Sequence, residues 1–281
     1  MRADKRYRAV IFDMDGLMLD TERIAMITCG RAAGDFGYVI ADELYLQVIG
    51  RTVEDTCRIF CEALGADFPF YEIRKRRLDY TEEYIHRYGL PKKPGLIEVL
   101  ELLRDCSVPK AVATSTRREE ACDRLRVANL LHCFDAIVGG DEVVQGKPAP
   151  DLFLLAVDRL TITPTECIVL EDSEAGIRAA RAAGMTPLLV PDLKPPSEEV
   201  KALAYWIYPS LHEVRAFFSN LFCSPDGAYL DMAADAAHSA APLSLCVCAG
   251  HVSTLGGESP LSRSVEPKDK GSARASPRGG V

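Results

Sequence analysis

The 281-residue sequence lacks any apolar run approaching the roughly 20 residues of a bilayer-crossing helix, which argues against a membrane-spanning protein. It also lacks an excess of positive charge, because 41 Asp and Glu against 33 Lys and Arg give a formal net charge of −8. That balance argues against a nucleic acid or an anionic membrane surface as the main partner. We therefore expect a small-molecule partner, and a monomer or a weak homodimer.

The ten cysteines lack the spacing of a zinc site. Cys57 and Cys61 lie one helical turn apart, and Cys246-Val-Cys248 has no matching second pair. No apolar targeting segment is found around the initial MRADKRYRAV, which makes the cytoplasm the expected compartment. We interpret the cysteines as core or surface thiols.

Short runs of Val, Ile, Leu and Ala predict buried strands of the kind found in parallel sheets. They lie at Ala9 to Phe12, Lys110 to Ala113, Ala136 to Val138, Cys167 to Leu170 and Pro187 to Val190. Helical patterns separate most of them, at Leu96 to Arg104, Arg118 to Ala128, Pro150 to Leu160 and Ala175 to Ala183. Because strands and helices alternate, the expected fold class is α/β with a Rossmann-like parallel sheet.

One segment, residues 21–89, departs from this alternation. It shows no strand pattern, and amphipathic helical periodicity runs through Val53 to Leu64 and Tyr71 to Tyr88. Gly89 to Gly95, with two prolines, is typical of a linker that returns the chain to the sheet. We therefore expect a core of residues 1–20 and 90–221 that carries a small α-helical cap of residues 21–89.

The last 60 residues, 222–281, differ in composition from the rest, since 21 of them are Gly, Pro or Ser. This composition predicts a poorly ordered tail. Its single apolar patch, Leu243 to Ala249, matches no motif that identifies a partner. We assign the tail no function.

Four polar clusters follow predicted strands or lie in the loop beyond one. They are Asp13-Met14-Asp15-Gly16, Thr114-Ser115-Thr116, Gly146-Lys147-Pro148 and Glu171-Asp172-Ser173. Ligands of open α/β sheets bind at the carboxyl ends of the strands, so we expect these clusters to meet at one edge. Two carboxylates at i and i+2 project to the same side, and a second acidic pair would complete a cage of oxygens of the kind that Mg²⁺ prefers.

This mixture of side chains suits phosphoryl transfer. Lys147 would hold a phosphate and offset the repulsion between carboxylates, while the hydroxyls of Thr114 and Ser115 would donate to phosphate oxygens. Asp13 is the candidate nucleophile, forming an aspartyl-phosphate. Asp15 is the candidate acid/base, which protonates the departing oxygen and later deprotonates the attacking water.

Each cluster taken alone has a simpler interpretation. Paired acids such as Asp13 and Asp15 are most often a solvated turn, and a lysine such as Lys147 is most often exposed. Glu171-Asp172-Ser173 alone would be a helix cap. Because all four polar clusters lie at or just beyond strand ends, a common role in phosphoryl transfer is favoured over four unrelated surface features.

The same stretches resemble the four motifs of the haloacid dehalogenase superfamily. They read VIFDMDGLMLDTE (Val10 to Glu22), ATST (Ala113 to Thr116), GKPAPD (Gly146 to Asp151) and LEDSEAGIRAARAAGM (Leu170 to Met185). Their order and spacing match, and residues 21–89 resemble the superfamily's small α-helical cap. The resemblance implies Mg²⁺ as cofactor and a small phosphorylated metabolite as substrate.

The resemblance also implies a role for each acidic residue. Asp13 resembles the phosphorylated nucleophile, and Asp15 resembles the acid/base whose backbone carbonyl also reaches Mg²⁺. Asp172 resembles the third protein ligand of the metal. Glu171 is similar to the adjacent carboxylate of the metal site, which orients metal-bound water.

The remaining site residues are carried over in the same way. Thr114 resembles the hydroxyl that binds the transferring phosphoryl group, with Ser115 beside it, and Lys147 resembles the charge-neutralising lysine. Gly50 and Arg51 are candidate substrate contacts, because a glycine-bounded cap segment is where the superfamily's specificity residues lie.

Two other basic stretches are interpreted as exposed surface residues with no role in binding. The run Arg74 to Arg77 has several acidic neighbours, which favours a solvated helix face over a phosphate or nucleic-acid patch. Arg117 and Arg118, just past the hydroxyl cluster, are typical of an exposed helix start.

The superfamily includes phosphatases, phosphomutases and dehalogenases, so the fold alone does not decide the reaction. Asp15 disfavours dehalogenation, which needs no second aspartate as acid/base. Compared with β-phosphoglucomutase, the chain has Ala25 in place of the expected cap-entry histidine, and Val53 aligns with the cap arginine. The stretch Leu17 to Glu22 is similar to that of sugar-phosphate and pseudouridine-monophosphate phosphatases.

We therefore expect a Mg²⁺-dependent phosphomonoesterase that works through an aspartyl-phosphate. The alternative is a phosphomutase similar to β-phosphoglucomutase. A further alternative is a non-catalytic phosphate-binding or scaffold protein, against which the intact Asp13 and Asp15 argue.

Overall fold

A computed structural model of the chain describes residues 7–223. The predicted tail lies outside the described residues except for Phe222 and Cys223. No helix in the described part of the chain is both long and apolar enough to cross a membrane.

A six-stranded sheet, parallel throughout, lies at the centre of the fold in the strand order β3-β2-β1-β4-β5-β6. The strands are β1 (Ala9–Phe12), β2 (Lys110–Ala113), β3 (Ala136–Val138), β4 (Cys167–Glu171), β5 (Thr186–Leu189) and β6 (Trp206–Ile207). Strand β1 lies in the middle of the sheet, because β2 pairs with one of its edges and β4 with the other. The predicted α/β class with a Rossmann-like parallel sheet is confirmed.

Ten α-helices accompany the sheet within residues 7–223. They are α1 (Thr21–Asp35), α2 (Asp42–Val48), α3 (Val53–Leu64), α4 (Phe70–Tyr88), α5 (Leu96–Asp105), α6 (Arg118–Val127), α7 (Asp151–Leu160), α8 (Glu174–Ala182), α9 (Glu198–Leu203) and α10 (Leu211–Phe222). The four predicted helices of the core and the two predicted helices of the insert are observed, with ends within one residue of the predicted ones.

Helices cover both faces of the sheet, which is why its strands read as continuous apolar runs. Val10 and Phe12 belong to one buried apolar cluster, together with residues of α5 and α10. Ala9 and Ile11 belong to the other, together with residues of α7 and α8. Side chains of a strand alternate between faces, so a four-residue strand contributes to both clusters.

Residues 21–89 form a helical insert with an apolar cluster of its own. Cys29, Tyr45, Phe60, Phe70 and Ile73 are buried in this cluster, which shares no residue with the two at the sheet. The periodicity of apolar residues favours the helices of the insert, and α3 also has a side-chain N-cap, in which the Thr52 hydroxyl accepts from the backbone N–H of Asp55 at 3.1 Å. Ile24 of the insert belongs instead to a cluster at the sheet. The division into core and cap stays a prediction.

The thiol interpretation is wrong for one pair of cysteines, because Cys106 and Cys223 form a disulfide. Helix α10 packs beside α5 and brings the two Cα atoms to 6.0 Å, within the usual range for a disulfide. The two residues are 117 positions apart, so no local spacing identifies the pair. The other cysteines of the described range, such as Cys57 and Cys61, are free thiols.

Candidate active site

Three neighbouring strands end in polar residues at one edge of the sheet. Phe12 of β1 pairs in register with Leu170 of β4, so the next residues, Asp13 and Glu171, lie side by side. Thr114 follows β2 on the other side of β1 and is 1% exposed. Parallel strands present their carboxyl ends at the same edge, which is why residues far apart in sequence meet here.

Lys147 reaches this edge from the loop beyond β3. Its ammonium donates to Asp13 Oδ1 at 2.5 Å, to Glu171 Oε1 at 2.5 Å and to the backbone carbonyl of Ala113 at 3.0 Å. Only 4% of its side chain is exposed. Burial alone would lower the pKa of Lys147, but the two carboxylates outweigh burial and raise it above its ordinary value.

One ammonium does not balance the carboxylates gathered around it. Burial raises the pKa of Asp13 to about 8, Glu171 and Asp15 act in the same direction, and Lys147 opposes them. Burial likewise raises the pKa of Asp172 well above its ordinary value, again reinforced by Glu171 and Asp13. The site therefore favours an additional positive charge.

The carboxylates are placed to hold a cation. Oxygens of Asp13, Glu171 and Asp172 all lie within 4.8 Å of one another. Both carboxylate oxygens of Glu171 already accept hydrogen bonds. Oε1 accepts from Lys147. Oε2 accepts from the backbone N–H of Asp172 at 3.1 Å, and from the backbone N–H and the hydroxyl of Ser173 at 3.0 and 2.8 Å. Asp13 and Asp172 are thus the carboxylates available to a metal, and hard oxygen ligands suit Mg²⁺.

The backbone at Gly16 leaves room for Asp172. A Cβ atom at Gly16 would lie 2.3 Å from Asp172 Oδ2, and the residue has a φ of +87°, which favours glycine. Gly16 follows the Asp13-Met14-Asp15 stretch directly. The glycine therefore lets the loop after β1 approach the carboxylate that follows β4.

Asp15 is held by two side chains from beyond β2. The Thr116 hydroxyl donates to Asp15 Oδ2 at 2.8 Å, and Arg124 Nη1 donates to Asp15 Oδ1 at 2.6 Å. Arg124 lies on α6, is 26% exposed and was not identified by the sequence analysis. It also pairs with Glu120 one turn earlier, a spacing typical of a surface ion pair, so no sequence signal distinguished it.

The two candidate hydroxyls have different environments. Thr114 is buried, and its hydroxyl accepts a hydrogen bond from the backbone N–H of Thr116 at 3.1 Å. Ser115 is exposed. The geometry therefore places Thr114 more firmly than Ser115 at the sheet edge.

The chain matches a family model over most of the sheet and the insert. The model described as haloacid dehalogenase-like hydrolase matches residues 10–190. The chain belongs to this family. The matched range contains Asp13, Lys147 and Asp172, which the structure brings to one edge of the sheet.

Relatives of this haloacid dehalogenase-like hydrolase are named as phosphatases. The phosphorylated carbohydrates phosphatase of Thermotoga maritima is 36% identical over 177 residues, which cover 63% of this chain and 82% of that protein. The probable pseudouridine-5′-phosphatase of Drosophila melanogaster is 35% identical over 190 residues, covering 65% and 80%. The expectation that this chain is a phosphatase is therefore confirmed at the level of enzyme class.

Solved structures agree with the fold. The crystal structure of a haloacid dehalogenase family hydrolase from Deinococcus radiodurans, with bound phosphate and sodium, is similar at a TM-score of 0.68 and 28% identity. The similarity covers 77% of this chain and 96% of that one. The expected family resemblance is confirmed.

The cap candidates of this hydrolase lie in the helical insert. Gly50 and Arg51 are exposed residues between α2 and α3, and both line a cavity in the insert. Arg74 and Arg77 line the same cavity. Arg74 is exposed, as the surface interpretation expects, whereas Arg77 is half-buried, so a solvated helix face does not describe Arg77. Helical periodicity turns both arginines toward the cavity, whereas the run alone resembles an exposed face.

Arg117 and Arg118 agree with the surface interpretation. Both are exposed, and they lie 3.9 Å from Asp141 and 3.7 Å from Glu142, respectively. Such exposed pairs contribute little to stability. The hydrolase site therefore takes its positive charge from Lys147 and Arg124.

We expect Gly176→Ala to disturb the Glu171 carboxylate. A Cβ atom at Gly176, in the first turn of α8, would lie 1.8 Å from Glu171 Oε1. Overpacking of this kind costs about 1–3 kcal/mol, which exceeds the roughly 1 kcal/mol that alanine gains in a helix. Thermal unfolding should show a lower Tm, together with reduced turnover. Gly30→Ala in α1, where nothing lies within 4 Å, is the matched control and should not lower the Tm.

Proposed function

We propose that this chain is a Mg²⁺-dependent phosphomonoesterase that acts on a small phosphorylated metabolite through an aspartyl-phosphate on Asp13. The observation that carries the proposal is that Asp13 contacts the Lys147 ammonium and lies within 4.8 Å of the carboxylates of Glu171 and Asp172. The two relatives named for a phosphorylated carbohydrate and for pseudouridine 5′-phosphate support the substrate class. In this proposal the partner is neither a nucleic acid nor a membrane.

Asp13 is the nucleophile in the first displacement. Its carboxylate oxygen forms a bond to phosphorus while the bond from phosphorus to the ester oxygen breaks. The attack needs the ionised carboxylate, which the Lys147 ammonium favours. A water oxygen then attacks phosphorus, the bond to Asp13 breaks, and phosphate leaves.

Asp15 moves the proton in both displacements. It gives a proton to the departing ester oxygen and later takes one from the attacking water. The hydrogen bonds from Thr116 and Arg124 fix the direction of its carboxylate. Arg124 acts through Asp15, so it is a positioning residue.

Lys147 and Thr114 stabilise the transferring phosphoryl group. The Thr114 hydroxyl would donate to a phosphoryl oxygen. The Lys147 ammonium, whose three N–H groups donate to Asp13, Glu171 and the Ala113 carbonyl, would offset the negative charge of the phosphoryl group through its own charge. Ser115 is a further donor in the same loop.

Asp13 and Asp172 would hold Mg²⁺, with the backbone carbonyl of Asp15 as a further ligand, and Glu171 would orient metal-bound water. When bound, Mg²⁺ supplies positive charge that balances the carboxylates and the phosphoryl oxygens. Glu171 is fixed for its role by Ser173 and by the backbone at the start of α8. Residues 21–89 would act as the cap, excluding bulk water from Asp13.

The test is release of inorganic phosphate from a panel of sugar phosphates, nucleotides and β-glucose 1-phosphate, with Mg²⁺ or with a chelator. We expect release that requires Mg²⁺. Conversion of β-glucose 1-phosphate to the 6-phosphate without net release would instead support the phosphomutase. Silence on the whole panel would support a non-catalytic phosphate-binding protein.

A further inference from the structure

The chain passes between the sheet and the helical insert twice, and these two linkers are hydrogen-bonded to each other. The outgoing linker, residues 18–20, leads into α1, and the returning linker, residues 91–93, leads from α4 back to α5. Two backbone hydrogen bonds join the linkers, one donated by Asp20 at 2.9 Å and one donated by Lys93 at 2.8 Å. The linkers therefore form a short antiparallel pair.

The outgoing linker is also hydrogen-bonded to the loop after β1, which carries both candidate catalytic aspartates. The backbone N–H groups of Met18 and Leu19 donate to the carbonyl of Met14, each at 3.0 Å. Met14 lies between Asp13 and Asp15 in the sequence, and its side chain and those of the two donors are buried. The position of the loop after β1 therefore depends on where the outgoing linker lies.

The side chain of Lys93 joins both linkers to the loop after β5. Its ammonium donates to Asp20 Oδ1 at 3.4 Å and to Asp192 Oδ1. The side chains of Lys93 and Asp192 are 19% and 6% exposed, so solvent screens this ion pair less than an exposed one. The other oxygen of Asp192 is buried and accepts no hydrogen bond within residues 7–223. Lys93 thus supplies the positive charge that balances Asp192.

The loop after β5 begins beside the acidic residues that follow β1 and β4. Strand β5 pairs in register with β4, and the backbone N–H of Val190 donates to the carbonyl of Glu171 at 2.8 Å. Asp192 follows two residues later and is 99 positions from Lys93 in the sequence. One ammonium therefore connects the linkers to a loop that is itself bonded to the candidate site.

Asp20 has a fixed orientation in this arrangement. Arg23 Nε donates to Asp20 Oδ2 at 3.1 Å, while Lys93 donates to Oδ1. The carboxylate is held at both oxygens, so its direction is set from both sides. Lys92, the neighbour of Lys93 in the returning linker, is exposed. The linker thus contains one lysine within the ion cluster and one outside it.

We propose that the Lys93 ammonium positions the loop after β1, which carries Asp13 and Asp15, for phosphoryl transfer. It does so by holding the two linkers at the loop after β5, and the backbone bonds of the outgoing linker pass that position on to the loop after β1. Lys93 acts through other residues, so it is a positioning residue. This inference rests on the function proposed above and adds to it a residue outside the four motif-like stretches.

The experiment measures phosphate release by the wild type, Lys93→Met and Lys92→Met with saturating Mg²⁺, on each ester of the panel that the wild type hydrolyses. We expect Lys93→Met to lower kcat about 10- to 100-fold with KM nearly unchanged, because a displacement of roughly 1 Å at a reacting group costs this much. Lys92→Met is the matched control, since Lys92 lies in the same linker and is exposed, and it should keep the wild-type kcat.

Further variants separate positioning from folding. Lys93→Arg keeps the positive charge and should recover part of the lost kcat. Asp192→Asn should lower kcat as Lys93→Met does, and the double variant should be no slower than the slower single variant, because both changes break the same ion pair. All rates are measured well below the lowest Tm of the set, so that unfolding does not lower kcat.

Hydrogen exchange of the backbone reports on the linkers without turnover. The N–H of Asp20, which bonds across to the returning linker, should exchange on the order of 10-fold faster in Lys93→Met than in the wild type. In Lys92→Met it should exchange at the wild-type rate. A lower kcat in Lys93→Met with unchanged exchange at Asp20 would overturn the route through the linkers.

The remaining outcomes distinguish this inference from the proposed function. An unchanged kcat in Lys93→Met, a lower Tm as its sole effect, or an equal loss of kcat in Lys92→Met would overturn the inference and leave the phosphatase intact. Absence of phosphate release from every ester by the wild type would overturn the proposed function and the positioning role together.

Discussion

Asp13→Asn is expected to lower kcat for phosphate release by at least about 10⁴-fold, because an amide oxygen does not replace a carboxylate as nucleophile. The other groups at the sheet edge would remain in place. Lys147 would still donate to Glu171, and Asp15 would keep its bonds to Thr116 and Arg124. Residual activity above that level would assign the nucleophile to another group.

Folding of Asp13→Asn should be unimpaired. Burial raises the pKa of Asp13 to about 8, so the contribution of this carboxyl to the stability of the metal-free wild type is fully present below its ordinary pKa of 3.8 and is lost as the pH rises through about 8. An asparagine does not ionise and is free of that loss. The Tm of the variant in chelator at about pH 8 should therefore equal or exceed that of the wild type. A lower Tm would show that the carboxylate supports the fold.

Lys147→Met is expected to remove both activity and stability. Without the ammonium, Asp13 and Glu171 face each other in a buried site with no neutralising side chain between them. Loss of one partner of a buried ion pair costs about 3–5 kcal/mol, and loss of a charge-balancing donor costs about 10²- to 10³-fold in kcat. Chemical unfolding and phosphate release measure the two effects.

The stability loss in Lys147→Met should depend on pH. The pKa of Lys147 is raised, so its contribution to stability is present at and below its ordinary value of 10.5 and covers the whole neutral range. In the variant, protonation of the crowded carboxylates relieves their repulsion, so the deficit should be smaller at about pH 5 than at about pH 8. Lys110→Met is the matched control, because that buried ammonium donates to the Val108 carbonyl. An equal deficit at both pH values would contradict the electrostatic explanation.

The sheet and much of the candidate site could be predicted from local sequence. Buried strands between helices have a distinctive apolar pattern, and a polar residue directly after such a strand lies at the ligand-binding edge. Asp13 and Glu171 could be placed at this edge from the sequence because the position of each is set locally: Asp13 directly follows β1, and Glu171 is the last residue of β4.

Other features depend on contacts between distant parts of the chain. Arg124 reaches Asp15 over a separation of 109 residues, although its sequence neighbours describe an ordinary surface helix. Arg77 belongs to a charged run whose cavity-lining members are decided by how α4 packs in the insert. The two-residue strand β6 is too short to show an alternating pattern.

The helical insert has its own apolar cluster, separate from those that support the sheet. Substitutions at Arg77 and at Lys147 should therefore have additive effects on unfolding free energy, as expected for sites that share no packing partners. The same independence has an evolutionary consequence. Under the proposed function, a lineage can exchange the residues of the insert that select the ester while keeping the residues of the sheet edge that cleave it, so a family with this architecture can acquire new substrates without rebuilding its chemistry.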